Sequence, residues 1–223
     1  MKIPFSNKEK EEDVKCIRPP NLGWLEKKLS NQEMDYLWRC IKNKKENTNT
    51  TLAGNVFASY KLMDRGDWFY INVIVPLLDR YQKDFEDMGS SLPLKTSHPY
   101  HMGKWWVNYH KQNEFNPIHN HNAVYSFVIW MKIPYDSRKQ NQKDMARRSS
   151  GLQKYNPIGQ FQFVYRDMLG ESDHYVYEQS PKMEGTMLFF PAQLEHTVYP
   201  FYDCDEDRIS VAGNIMPDTS KSI

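Results

Sequence analysis

Cysteine is scarce in this chain: Cys16, Cys40 and Cys204 are the only three in 223 residues. They are odd in number, widely spaced and without a C-x-x-C pair. That excludes a disulfide framework and points to a reducing compartment, the cytoplasm. Net charge is nearly absent too, since 29 Lys and Arg face 28 Asp and Glu and leave +1. No global field therefore draws the chain to nucleic acid or to an anionic membrane surface. The first thirteen residues are rich in lysine and glutamate and hold no apolar block, so they do not read as a signal peptide. The longest apolar stretch, 68–78, is too short to cross a bilayer, and no internal repeat is present. What the chain does have is aromatic residues, 14% of the total, against a mean hydropathy of −0.77. Heavy apolar blocks in a polar background fit a folded soluble domain with long surface loops.

A single domain is expected, with a flexible lead over 1–20, a helical cover over 21–102, a β-rich core over 103–216 and a flexible tail over 217–223. Ser30 followed by Glu33 has the form of a capping box. Met34, Leu37, Trp38 and Ile41 then recur at helical spacing, which predicts a helix over 31–43. A turn-rich loop is expected over 47–51. A second helix is predicted over 67–87, with Trp68, Ile71, Ile74, Val75, Leu78 and Tyr81 toward the core and a kink or split at Pro76. From Trp105 the texture changes. The segments 105–109, 123–133, 159–165, 173–178, 186–190 and 208–215 are short, rich in aromatic and β-branched residues, and separated by turn signals such as Asn116-Pro117 and Glu184-Gly185. Many short strands with polar turns predict a sandwich or jelly roll covered by the α-helices. The polar, basic segment 136–155 interrupts them, and reads either as a lid over a site or as a disordered surface insertion.

The chemistry gathers in a few residues. His119-Asn120-His121 is an H-x-H pair whose members share one face if they lie on a strand. His196 follows on a later apolar segment, and imidazole nitrogens suit Fe, Zn, Cu and Ni. His98, His101, His110 and His174 are isolated and read as surface or hydrogen-bonded core residues. Arg208 has two readings. It pairs with the acidic run Asp203, Asp205, Glu206 and Asp207, or it points inward beside Ser210 and receives a carboxylate. Trp106, Trp130, Phe161 and Phe163 are candidates to wall a pocket, or are plain core.

At these residues the chain resembles the Fe(II)- and 2-oxoglutarate-dependent dioxygenases of the double-stranded β-helix (jelly-roll, cupin-like) fold, and within them the prolyl 4-hydroxylase-like group. His119 matches the first ligand of the family's H-x-D/E pair, His196 the distal histidine, and Arg208-Ile209-Ser210 the R-x-S that grips the co-substrate. Val107-Asn108-Tyr109 is similar to the strand whose tyrosine bonds the same carboxylate. The resemblance implies that His119, His121 and His196 bind iron and that Arg208, Ser210 and Tyr109 bind 2-oxoglutarate. It implies O2 as co-substrate, ascorbate as an auxiliary reductant, and hydroxylation of a C–H bond in a peptide or small-molecule substrate, with release of succinate. The chain departs from the pattern at His121, where the family has a carboxylate. Three arrangements stay open: His121 as third ligand, water in that position with His121 behind it, or the Asn122 amide as ligand. Two other classes also stay open: a three-histidine metal protein or dioxygenase that uses no 2-oxoglutarate, and a non-enzymatic jelly-roll module.

Overall fold

The computed structural model describes residues 21–45, 47, 54–85, 99–142 and 157–220. The expectations for 1–20, for most of 47–51, for the last two residues of the second helix, for 143–155 of the polar insertion and for the last residues of the tail lie outside the described residues.

Ten strands lie among the described residues: β1 Leu25–Lys28, β2 Ala58–Lys61, β3 Tyr100–His110, β4 Asn116–His119, β5 Tyr125–Lys132, β6 Phe161–Arg166, β7 Ser172–Tyr177, β8 Thr186–Pro191, β9 Glu195–Val198 and β10 Arg208–Pro217. They form a six-stranded sheet in the order β1-β8-β5-β10-β3-β2 and a four-stranded sheet in the order β4-β9-β6-β7. Every pairing is antiparallel. This is the double-stranded β-helix arrangement that the resemblance implies. The segment 21–102 is not purely helical, because it supplies β1 and β2, the two edge strands of the larger sheet.

Three α-helices accompany the sheets among the described residues: α1 Asn31–Lys42, α2 Val75–Asp84 and the short α3 Ser137–Gln140. The expected capping box starts α1. Ser30 N–H donates to Glu33 Oε2 at 2.6 Å and Glu33 N–H donates to Ser30 Oγ at 3.3 Å, which satisfies two donors that a helix start leaves orphaned. Pro76 does not break the second helix. A π-helical turn, Tyr70–Ile74, runs directly into α2, and its wider winding takes in the proline, which has no N–H to donate. The extra residue in that turn shifts the helical phase. Phe69, Val73, Leu77 and Tyr81 are buried, while Ile71, expected in the core, is 57% exposed.

The larger sheet has an apolar outer face and a mixed inner one. Trp105 and Val107 of β3, Tyr125, Phe127 and Ile129 of β5, and Val211 and Ile215 of β10 form one core with α1 and α2. Phe69 stacks on Trp105 at 5.5 Å, and Tyr81 meets Tyr125 edge-on at 5.2 Å. A second cluster fills part of the space between the sheets, with Trp130, Phe161, Phe163, Leu188 and Phe190 at its centre. Phe69→Ala should lower the free energy of unfolding by about 3–5 kcal/mol, and Ile71→Ala should leave it within about 0.5 kcal/mol, as read from urea denaturation. Equal costs would contradict the phase shift.

Candidate active site

A cavity of about 420 Å³ opens between the two sheets, and the three histidines line it. His119 ends β4 and His196 lies in β9, where the two are direct cross-strand partners. His121 lies beyond the end of β4 rather than on the strand, so period-two alternation does not place it. Its position comes from the turn between β8 and β9: His121 N–H donates to Ala192 O at 2.9 Å, and Gln193 Nε2 donates to His121 O at 3.2 Å. One turn therefore carries His196 and tethers His121.

One ring nitrogen from each histidine can serve as a ligand atom, and these three atoms lie within 4.8 Å of one another. The ring centroids are 4.3 Å apart for His119 and His196, and 5.1 Å apart for the other two pairs. His119 Nδ1 contacts Pro117 O at 2.8 Å and His196 Nδ1 contacts Leu194 O at 3.0 Å. A carbonyl can only accept, so each Nδ1 carries the proton and each Nε2 keeps a lone pair for a metal. Burial favours the neutral form of all three rings. It lowers the pKa of His119, takes that of His121 down to about 4 with His119 contributing, and places that of His196 well below the ordinary value with His119 and His121 contributing.

At the far end of β10 the guanidinium of Arg208 is 1% exposed. Nη1 donates to Tyr135 Oη at 2.7 Å and to Tyr199 O at 3.2 Å, and the group lies 5.3 Å from the centre of the Phe201 ring. Nη2 is buried with no partner. No ion pair among the described residues includes Arg208, and Glu206 of the acidic run is instead paired with Lys132 at 2.6 Å. Arg208 is therefore turned inward and not paired with the acidic run. Ser210 lines the cavity on the same face of β10.

Tyr109 is not at this site. Side chains alternate along β3: Lys104, Trp106, Asn108 and His110 line the cavity, while Trp105, Val107 and Tyr109 pack on the helix side. Tyr109 meets Tyr60 edge-on at 5.9 Å, and the Lys44 ammonium lies 5.4 Å from its ring centre. The residue directly opposite Arg208 is His110, which sequence reasoning had set aside. It is 2% exposed, its Nε2 bonds Asn116 Oδ1 at 2.7 Å, and its Nδ1 has no partner. Burial, then the charge of Arg208, pushes its pKa down to about 3. Tyr135 was also missed, and its hydroxyl bridges Arg208 to Gly159 O. Trp106 and Phe161 do line the cavity, whereas Trp130 and Phe163 belong to the core beneath it. The described head of the 136–155 insertion is pinned, with Gln140 exchanging two hydrogen bonds with the Tyr202 backbone.

Residues 104–214 match the family described as "Putative 2OG-Fe(II) oxygenase". Among solved structures, a prolyl-4-hydroxylase from Pseudomonas putida aligns with 13% identity and a TM-score of 0.51, over 88% of this chain and 93% of that one. An oxidoreductase of the 2OG-Fe(II) oxygenase family from Burkholderia pseudomallei aligns with 11% identity and a TM-score of 0.50, over 83% and 78%. At such identities these likenesses show the fold. No curated protein sequence matches the chain. The matched segment carries the three histidines, Arg208 and Ser210, and through it the chain belongs to the 2OG-Fe(II) oxygenase family as an Fe(II)- and 2-oxoglutarate-dependent dioxygenase.

Proposed function

We propose that His119, His121 and His196 hold the iron, that Arg208 and Ser210 receive the far carboxylate of 2-oxoglutarate, and that a C–H bond of a peptide or small-molecule substrate is hydroxylated between them. The observation that carries this reading is the orphaned Nη2 of Arg208. A buried guanidinium without a carboxylate is costly, by several kcal/mol, unless an anion completes it. A metal protein that used no 2-oxoglutarate would leave that cost unmet. The donor set fits iron as well, being three neutral imidazoles with two of their tautomers fixed by backbone carbonyls.

Iron and 2-oxoglutarate, when bound, supply the oxidising chemistry, in which the co-substrate is decarboxylated to succinate with O2. The chain binds, orients and excludes water. Arg208 and Ser210 fix one end of the co-substrate, so that its other end falls toward the histidines. His110 stands beside Arg208 as a neutral ring whose Nε2–H donates to Asn116 Oδ1, so its free Nδ1 can only accept and does not replace Tyr109 as a donor to the carboxylate. Trp106 and Phe161 wall the space and limit access of water. The likeness in fold to the Pseudomonas putida prolyl-4-hydroxylase makes a prolyl or other peptide residue the first target to test. Cys40 and Cys204 are free thiols, which supports a cytoplasmic setting, and no helix among the described residues is long and apolar enough to cross a membrane.

With Fe(II), ascorbate and 2-oxoglutarate, the purified protein should release succinate. Arg208→Ala should raise the KM for 2-oxoglutarate by about thirtyfold or more. Tyr109→Phe should change it by less than about twofold, because its side chain is on the other face. Unaltered iron affinity in each variant would show that the fold is intact. A normal KM in Arg208→Ala, or a defect in Tyr109→Phe alone, would contradict the assignment.

Metal uptake gives a second test. Three ordinary histidines at pH 6 would shed about two protons on binding a cation. Here burial depresses all three pKa values, so binding should release fewer protons than that. Calorimetric enthalpies at pH 6 should therefore vary less between buffers of different ionisation heat than two released protons would require. A buffer dependence equal to about two protons would contradict the neutral site.

A further inference from the structure

The outer half of the cavity is built for negative charge. From the reading above, we infer that the prime substrate is an acidic peptide segment, and that Lys104 with Asn214 receives a carboxylate adjacent to the residue that is hydroxylated.

The inward face of β3 runs from Lys104 through Trp106 and Asn108 to His110, a span of about 20 Å at the usual rise of a strand. His110 and Arg208 close the buried end. The Trp106 ring lies 6.0 Å from that of His121, which puts the three-histidine group level with the middle of the strand. Lys104 is one inward position farther out, exposed, and on the cavity lining. It takes part in no ion pair among the described residues. Asn214 lines the same end from β10. Its amide oxygen accepts from Ser126 Oγ at 2.8 Å, so what it has left to offer the cavity is N–H donors.

Charge balance leads to the same substrate. No Asp or Glu is among the lining residues. A divalent ion held by three neutral imidazoles keeps both its charges, and Arg208 and Lys104 add one each. The dicarboxylate co-substrate cancels two of the four. The remaining excess is one that an anionic substrate would relieve, and Lys104 is the part of it placed at the open end. A peptide is favoured over a free metabolite by the space and by the rest of the rim. A cavity of about 420 Å³ that also holds the co-substrate has room for one side chain, and the exposed carboxamides of Asn120 and Asn122 at the mouth match the donors and acceptors of a peptide backbone.

The test uses the Fe(II)-loaded full chain with 2-oxoglutarate, O2 and pools of nonapeptides randomised around a fixed central residue, with hydroxylated products sequenced by mass spectrometry. Asp and Glu should be enriched beside the hydroxylated residue by about fivefold or more, the scale of an exposed ion pair. Lys104→Glu should replace that enrichment with Lys and Arg. Lys83→Glu, the same charge change on the exposed side of α2, should leave the wild-type selection in place. Charge-blind selection, an unchanged selection in Lys104→Glu, or succinate release with no peptide hydroxylated would overturn the inference while leaving the oxygenase reading standing. Failure of the wild-type protein to form succinate at all would overturn that reading, and this inference with it.

Discussion

A strand covered on both faces must send alternate side chains into two different environments. On β3 and β10 one environment is the aromatic layer beneath α2 and the other is the polar cavity. The site depends on this division. Trp105, Val107, Val211 and Ile215 anchor the two strands from outside, and that anchoring aims His110, Asn108, Arg208 and Ser210 inward. The packing is close enough that a Cβ at Gly213 would lie 2.6 Å from both Phe127 and Trp105, so β5, β3 and β10 meet there through a residue with no side chain. Rigid elements of this kind hold reactive groups more accurately than loops do.

Electrostatics give the cavity its second constraint. Burial penalises the protonated form of all three imidazoles, and a neutral imidazole is what a cation needs. With a histidine where the family has a carboxylate, the proposed site would set no protein charge against the ion, and anionic ligands would be held more strongly. Arg208 is stabilised on three sides, by Tyr135, the Tyr199 carbonyl and the Phe201 ring. That support lets a buried guanidinium persist with one nitrogen still available. Under the proposed assignment the ion and Arg208 would be two positive features at fixed points of the fold, and a short dicarboxylic acid would be complementary to both.

Much of this was legible in the sequence, and the failures have physical causes. The strands β3, β5, β8 and β10 were found because each carries aromatic or β-branched residues on the face beneath the helices, and β5 and β8 carry apolar residues on both faces. The capping box of α1 was found because its two polar partners are local. The strands β1 and β2 were missed. Each has four residues and reads as polar, so its pairing is decided by the sheet it joins rather than by its own composition. Tyr109 was expected at the site, but period two turns it to the helix side while its neighbours Asn108 and His110 face the cavity. Ile71 was misplaced because a π-helical turn breaks the 3.6-residue period without any marker except the nearby proline. His121 was expected on a strand with His119. It is brought to the group by a backbone bond from Ala192 instead, which no side-chain pattern announces.

The central claim is that three imidazoles from this one chain share a single iron. X-ray absorption on the protein loaded anaerobically with Fe(II) tests it most directly, read together with metal content. The account predicts one iron per chain with three imidazole nitrogens in its first coordination shell, falling to two in His121→Ala. Sub-stoichiometric iron, or a shell of two imidazoles that His121→Ala leaves unchanged, would contradict it.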